Sequence, residues 1–443
     1  MDLLSLPAEL IPLIASFLSP DDIARFSLAS TLIRALVQRE LYRDVNLIWD
    51  RASVPRDVPA YCDARERIRA IVASLARDPA RCAHLRRFAF WEHTYWLDPP
   101  TGELLAQILI QAPLITELQE DDGTPFDPQL TPFTSIAPVW SALRTLPNLR
   151  RLETKFGPNV QLNLHELTTL RILRMSMYYV DAPRDGTLPE SLQVLNLEYV
   201  LAFTNDWFRP SLFAHLQSLA LADLTPVTVG TVQRAIETYA ATSSSSSLTH
   251  VRLDLHNSRI ENWNEKLLLR LLGSLASLAS SVTHLEILST PEITRGTAVT
   301  TDTRAFEVVE AIANGFPRLQ RLVFLLGDTE VVQSHRPVKD EQLQDAELRM
   351  LARCRELRYF ETNRAYFASV DALPPISIPS LEEIHSAAAR ALPLHAPRFF
   401  ALLPAVEYVV FSHAVDVSGP DVWVRKRGGD PVASDVDELP WHP

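Results

Sequence analysis

The sequence predicts an α/β protein in which a short N-terminal three-helix module precedes a curved solenoid, with a parallel sheet on the concave face and helices on the convex face. Three observations lead there. Apolar residues in the first 49 positions recur at three- and four-residue steps, the spacing of one helix face. From residue 82 onward a phrase of the form Leu-x-x-Leu-x-Leu returns repeatedly. Helix-like segments lie between the more widely spaced copies.

With 443 residues the chain has room for a small module and a large second region. Hydrophobic residues make up 47% and charged residues 22%, the balance of a folded protein rather than a disordered one. Lys and Arg number 42 against 54 Asp and Glu, a net charge of −12. That argues against a general nucleic-acid or anionic-membrane binder, whose affinity comes from clustered Lys and Arg. No secretory leader is expected: the apolar stretch 10–18 is short, broken by Pro12 and preceded by an acidic start. Cys62, Cys82 and Cys354 form neither a disulfide framework nor a CxxC clip. The expected setting is reducing, cytoplasmic and/or nuclear, with no nucleic-acid and no membrane partner.

In order along the chain, Pro7 suits the first turn of a helix, and Leu6, Leu10, Leu13, Ile14, Phe17 and Leu18 line one face of it. Pro12 forces a late start or a kink. Ser19-Pro20-Asp21-Asp22 restarts the chain, with Ser19 as N-cap, Pro20 at N1 and Asp22 at N3. The second helix shows Ile23, Phe26 and Leu28; a third, over 31–40, shows Leu32, Leu36 and Val37; a strand-like DVNLIW follows. About 45 residues bury too little surface to stand alone, so the module completes itself on something else.

These residues resemble the F-box: the opening Leu6-Pro7-x-Glu9-Leu10, the Ile14-x-x-Phe17-Leu18 turn, the Asp21-Asp22-Ile23 start, and the closing Glu40-Leu41-Tyr42-Arg43-Asp44-Val45-Asn46-Leu47, an ending similar to that of fungal F-box proteins. The pattern departs in helix three, where Ile33 replaces a frequent Trp and Thr31-Leu32 a basic pair. The resemblance implies docking on a Skp-type adaptor, and through it a cullin–RING ubiquitin ligase. Leu6, Pro7, Leu10, Ile14, Phe17, Leu18, Ile23 and Phe26 would be the adaptor-binding residues. The competing reading is that the helices only cap the array behind them, as the ends of repeat stacks must be capped.

The recurring phrase reads LRRFAF at Leu85, ITELQE at Ile115, LRRLET at Leu149, LRILRM at Leu170, LQVLNL at Leu192, LQSLAL at Leu216, LTHVRL at Leu248, VTHLEI at Val282, LQRLVF at Leu319, LRYFET at Leu357, LEEIHS at Leu381 and VEYVVF at Val406, often after Pro or a small residue. It resembles a leucine-rich repeat of divergent form, without the usual closing Asn or Cys. Each phrase is expected to be one short parallel strand. Helices are expected at 103–111, 229–241, 265–278, 305–313 and 341–354, while intervals of 21 to 25 residues hold a turn or short 3₁₀ segment. An amphipathic helix at 61–77 would join the module to the array. After 412 an edge strand at 422–424 and then disorder are expected. The division is therefore 1–49 module, 50–80 linker helix, 81–412 repeat array, 413–443 edge strand and tail.

No phosphate-binding glycine loop, nucleophile elbow or HExxH stands in the chain. Strand register places His250 beside His284 and Arg252 beside Glu286, with Asp254 and His256 further along. Two His and two carboxylates suit a metal or acid–base site; the same residues suit a cross-strand ion pair with solvated histidines. No metal, cofactor or catalytic residue is expected. Candidate contacts to a target protein are Trp91, Tyr95, Trp96, Arg151, Arg174, Arg252, Glu286 and Tyr359, a mixed charged and aromatic set. The sequence thus points to a non-catalytic substrate receptor acting by proximity. The alternatives are an interaction scaffold with a helical cap and, from a different class, a metal-dependent hydrolase centred on His250 and His284.

Overall fold

Each of the twelve phrases becomes a strand that begins two residues after its opening apolar residue. The computed structural model describes residues 7–8, 10–47, 58–91, 99–121, 137–156, 164–177, 187–198, 207–222, 226–243, 245–254, 265–278, 280–289, 302–326, 341–362, 378–386, 400, 403–411, 421–425 and 431–434. The chain divides into two units, Met1–Val194 and Leu195–Pro443.

In the first unit, α1 (Leu10–Ala15), α2 (Pro20–Ser27) and α3 (Thr31–Leu41) lead into β1 (Asp44–Leu47). Helix α1 starts late, as Pro12 requires: the proline sits in the first turn, where no intrahelical N–H is lost. Ser19 caps α2, its Oγ accepting from the Asp22 N–H at 3.2 Å and donating to Asp22 Oδ2 at 2.7 Å. Ser30 caps α3 through the Leu32 N–H. The three helices close on Ile11, Ala15, Ile23, Ile33 and Val37, with Leu18, Phe26, Leu36 and Leu41 packed around them.

Strands β2 (Arg87–Trp91), β3 (Glu117–Asp121), β4 (Arg151–Phe156) and β5 (Ile172–Met177) follow β1 in order, each parallel to its neighbour. Two differences from the sequence reading stand here. β1 itself pairs with β2, so it is the bridge from the module into the sheet. The helix expected as a linker, α4 (Val58–Ala76), instead packs beside α6 (Pro99–Gln111), burying Val72, Leu75 and Ala76. Its apolar stripe is satisfied as part of the helix layer, together with the short α5 (Pro79–Cys82) and with α7 (Ala137–Leu143), which the sequence reading did not contain.

In the second unit, β6 (Val194–Glu198, opening at the boundary) and β7 (Ser218–Ala222) are neighbours. From β7, strands β8 (His250–Asp254), β9 (His284–Ser289), β10 (Arg321–Leu326), β11 (Tyr359–Thr362), β12 (Glu383–Ser386) and β13 (Tyr408–Phe411) run parallel in sequence order. Helices α8 (Pro226–Thr242), α9 (Glu265–Ala276), α10 (Asp302–Gly315) and α11 (Glu341–Leu351) occupy the longer intervals, and successive ones pack side by side. Short intervals hold 3₁₀ turns at Leu164–Glu166 in the first unit and Pro210–Ala214 in the second. The expected disorder after the edge strand is corrected in part: β14 (Asp421–Arg425) and β15 (Pro431–Ser434) extend the sheet antiparallel. Residues beyond 434 lie outside the described ones.

One construction repeats within each unit. The first and fourth residues of every phrase are buried, from Leu85 and Phe88 to Val406 and Val409. The second residue offers its carbonyl to two N–H groups of the next phrase. Arg43 O takes Arg86 and Arg87, Arg86 O takes Thr116 and Glu117, and Thr283 O takes Gln320 and Arg321. The small residue before the phrase adds a side-chain bond to the preceding copy: Thr169 Oγ1 and Ser191 Oγ donate to the carbonyls of Leu149 and Leu170, and Ser380 Oγ to that of Leu357. This gives a physical reason for the small polar residues at that position. The opposite side chains are open in some strands, as in the exposed–buried alternation of β8, and covered in others, where Glu153, Tyr359 and Glu383 are buried.

Candidate functional site

Two surfaces carry chemistry: the outside of the N-terminal helices and the open sheet face of each unit. On the helices, the core takes only part of the apolar stripe. Leu10, Leu13, Phe17, Leu28 and Leu32 remain exposed, Phe17 at 83% and Leu28 at 73%. Of the residues expected to meet an adaptor, Leu10 and Phe17 are in this outer set, Pro7 is exposed, and Ile14 and Leu18 are half-buried. Ile23 is buried in the module core and Phe26 packs against it, so both hold the helices together from within. Leu6 lies outside the described residues. Leu13, Leu28 and Leu32 share this exposure although the sequence reading did not single them out for it; periodicity shows that they belong to apolar stripes but not that they face outward.

The open face of the first unit carries a charged chain. Arg87 grips Asp44 with Nε at 2.9 Å and Nη2 at 2.6 Å. Glu153 receives Arg151 at 2.5 Å and Arg174 at 3.3 Å, so these two candidates do converge, on a shared carboxylate. Trp91 ends β2, while Tyr95 and Trp96 lie outside the described residues.

On the open face of the second unit, register alone sets the arrangement. His250 and His284 are Cα partners and their rings stack, 4.1 Å between centroids and 18° between planes. Thr249 Oγ1 donates to the Gln217 carbonyl at 3.2 Å and lies 2.7 Å from His250 Nδ1. A hydroxyl can accept from Nδ1–H or donate to a bare Nδ1, and the tautomer of the ring sets which. Thr283 stands 2.9 Å from His284 Nδ1 in the same relation. Burial, then His250 and Arg321, push His284 down to about 4, and burial also lowers His250, so both rings are neutral near pH 7.

Arg252 lies 3.9 Å from Glu286, the cross-strand neighbour that the aligned phrases gave it, and 3.3 Å from Asp254 on its own strand. Arg321, in register with His284, places its guanidinium 4.1 Å from the centre of the Tyr359 ring. Tyr359 also meets the His385 ring and donates to Glu361 at 2.7 Å. It is itself buried, so it supports this face more than it presents a contact. His385 is hydrogen-bonded to the buried Glu383. Arg321 and His385 were missed by the sequence reading, although they stand in the strand register that singled out His284 and Arg252. Among the described residues no group of three His, Cys, Asp or Glu could hold a metal ion; His256 lies outside them. No described helix is long and apolar enough to cross a membrane.

Fold and surfaces together define an α/β protein with a small helical module joined to consecutively ordered parallel strands. Residues 3–43 match the F-box domain family, so the chain carries an F-box domain at its N-terminal helices. A search of curated proteins returns no match. Among solved structures, HydG, a maturase of the [FeFe]-hydrogenase, is similar at 10% identity over 73% of this chain and 68% of that one, with a TM-score of 0.21. A likeness at that level carries no argument about fold or chemistry.

Proposed function

We propose that the protein is the substrate-recognition subunit of a Skp–cullin–F-box type ubiquitin ligase. Its N-terminal helices engage a Skp-type adaptor, and the strands form a divergent leucine-rich-repeat domain whose open face takes a target protein, in the cytoplasm or nucleus. The observation that carries this reading is the outer apolar set within the F-box match: Leu10, Leu13, Phe17, Leu28 and Leu32 are left unburied by the module's own core. Several large apolar side chains left exposed on one small module are the kind of surface that protein partners cover. The chain then acts without chemistry of its own, raising the concentration of target lysines near a charged conjugating enzyme.

The scaffold reading is favoured by one observation, the pairing of β1 with β2, which makes the module a cap on the first strands. Capping alone gives no role to Phe17 and Leu28 on the outside. Co-purification with a Skp-type adaptor separates the two readings. The wild-type chain is expected to capture the adaptor, and the Leu10→Asp/Phe17→Asp variant to lose it while keeping its melting temperature. Failure of the wild type to capture any adaptor overturns the ligase reading.

A further inference from the structure

We propose that the pocket framed by α3, β1, β2 and β3 is an anion site that takes a phosphate monoester. Its volume is about 540 Å³, and Arg39, Arg43, Arg86 and Arg87 converge on it with Asp44 and Glu117. Four guanidiniums around one cavity stand out in a chain of net charge −12.

The partners in and around the pocket leave cationic capacity unused. Arg87 is committed, since both arms of its fork lie on Asp44. Glu40 serves two arginines at once, Arg43 at 3.4 Å and Arg39 at 3.9 Å, contacts too long to saturate either. Arg86 has no ion-pair partner among the described residues. Glu117 stands opposite Arg87 in strand register. Four cations against Glu40, Asp44 and Glu117 leave an excess of one positive charge, with donors of Arg39, Arg43 and Arg86 free to turn toward a ligand. Each guanidinium offers a planar fork matched to an oxyanion. A phosphate monoester, with close to two negative charges and three acceptor oxygens, fits three such forks better than a carboxylate does. The cavity exceeds a single phosphate group, which leaves room for the group that carries it.

Placement is set by the backbone. The Arg43 carbonyl takes the N–H groups of both Arg86 and Arg87, so the module's end and β2 hold their side chains at a fixed spacing. Ligand binding here would touch α3, β1, β2 and β3 together. The proposal stands apart from the adaptor reading and survives its failure.

The test is calorimetric titration of the full chain with inorganic phosphate and with phosphoserine, sulfate serving as the control anion. Saturable binding of phosphate or phosphoserine, stronger than that of sulfate, is expected. Losing one charge-assisted contact in Arg43→Gln or Arg86→Gln should weaken it about tenfold. Arg39→Gln, at a side chain 72% exposed, should leave stability nearly unchanged and weaken binding in the same direction. Equal affinity for the two phosphates assigns recognition to the phosphate alone, and tighter phosphoserine binding shows that its carrier contributes; either supports the site. No saturable binding overturns it. So does an equal loss in Arg355→Gln, an exposed arginine of the second unit, which would reduce the effect to general electrostatics.

Discussion

Truncating Phe17 separates docking from folding. The side chain is 83% exposed, so Phe17→Ala removes little internal packing and should change stability by less than about 0.5 kcal/mol. If the adaptor covers it, the buried ring is worth about 1.5–3 kcal/mol, scaled by the exposed fraction to roughly 1.2–2.5 kcal/mol, or about 8- to 70-fold in Kd. Ile33→Ala is the opposite case. Ile33 is 2% exposed among the five residues of the module core, and its truncation costs about 2–5 kcal/mol of stability. The two variants should therefore split: Phe17→Ala melts like the wild type and binds weakly, whereas Ile33→Ala loses both. Isothermal titration with a purified Skp-type adaptor, paired with thermal melts by circular dichroism, reads both quantities. Binding by Phe17→Ala within about twofold of the wild type would refute the assignment of this face.

Three further outcomes are expected. Ser191→Ala removes the 2.7 Å bond to the Leu170 carbonyl and should cost about 1 kcal/mol in denaturant unfolding, while Ser191→Thr keeps most of it. His284, held near 4 by burial, His250 and Arg321, favours its neutral form in the fold. The unfolded chain therefore takes up the proton first, and this contribution, complete above the ordinary 6.5, is lost as pH falls from there towards 4. His284→Gln should flatten that part of the stability–pH curve, and an unchanged slope would count against the burial argument. Cys82 and Cys354 are buried and pushed up to about 11, so neither should react with a thiol reagent until the chain unfolds. Rapid labelling of either in native protein would contradict their placement.

The strands were legible because each phrase repeats two demands, an apolar residue at its first position and another at its fourth, and both are met by complete burial. The longer helices were legible from length and periodicity. Helix α7 was not: it is short, opens on Ala137-Pro138, and its apolar residues Val139, Trp140 and Leu143 are too few to declare a period. On the N-terminal helices the sequence shows which residues are apolar, yet Ile23 and Phe17 look alike in that light. In helices of 6 to 11 residues with apolar side chains on more than one side, only the packing decides which stripe the neighbouring helix covers. The His250–His284 neighbourhood was legible because parallel register follows from aligned phrases. The Arg321–Tyr359–His385 continuation follows from the same register; Tyr359 was singled out as an aromatic, but Arg321 and His385 were not, because the phrases that carry them were not laid beside one another.

What the sequence could not show was the role of β1. DVNL looks like a strand ending a module, and nothing local says that its partner is β2, beyond the whole of α4 and α5. That pairing has a mechanical consequence. Only Tyr42 and Arg43 separate α3 from β1; Tyr42 lies against Arg81, 5.2 Å from guanidinium to ring centre, and the Arg43 carbonyl is held by two N–H groups of β2. A two-residue connection tied at both positions leaves little freedom for a hinge. The outer apolar face of the helices is therefore fixed with respect to the first strands of its own unit. Under the proposed receptor role such stiffness would matter, because a flexible joint dilutes the effective concentration on which a proximity mechanism depends.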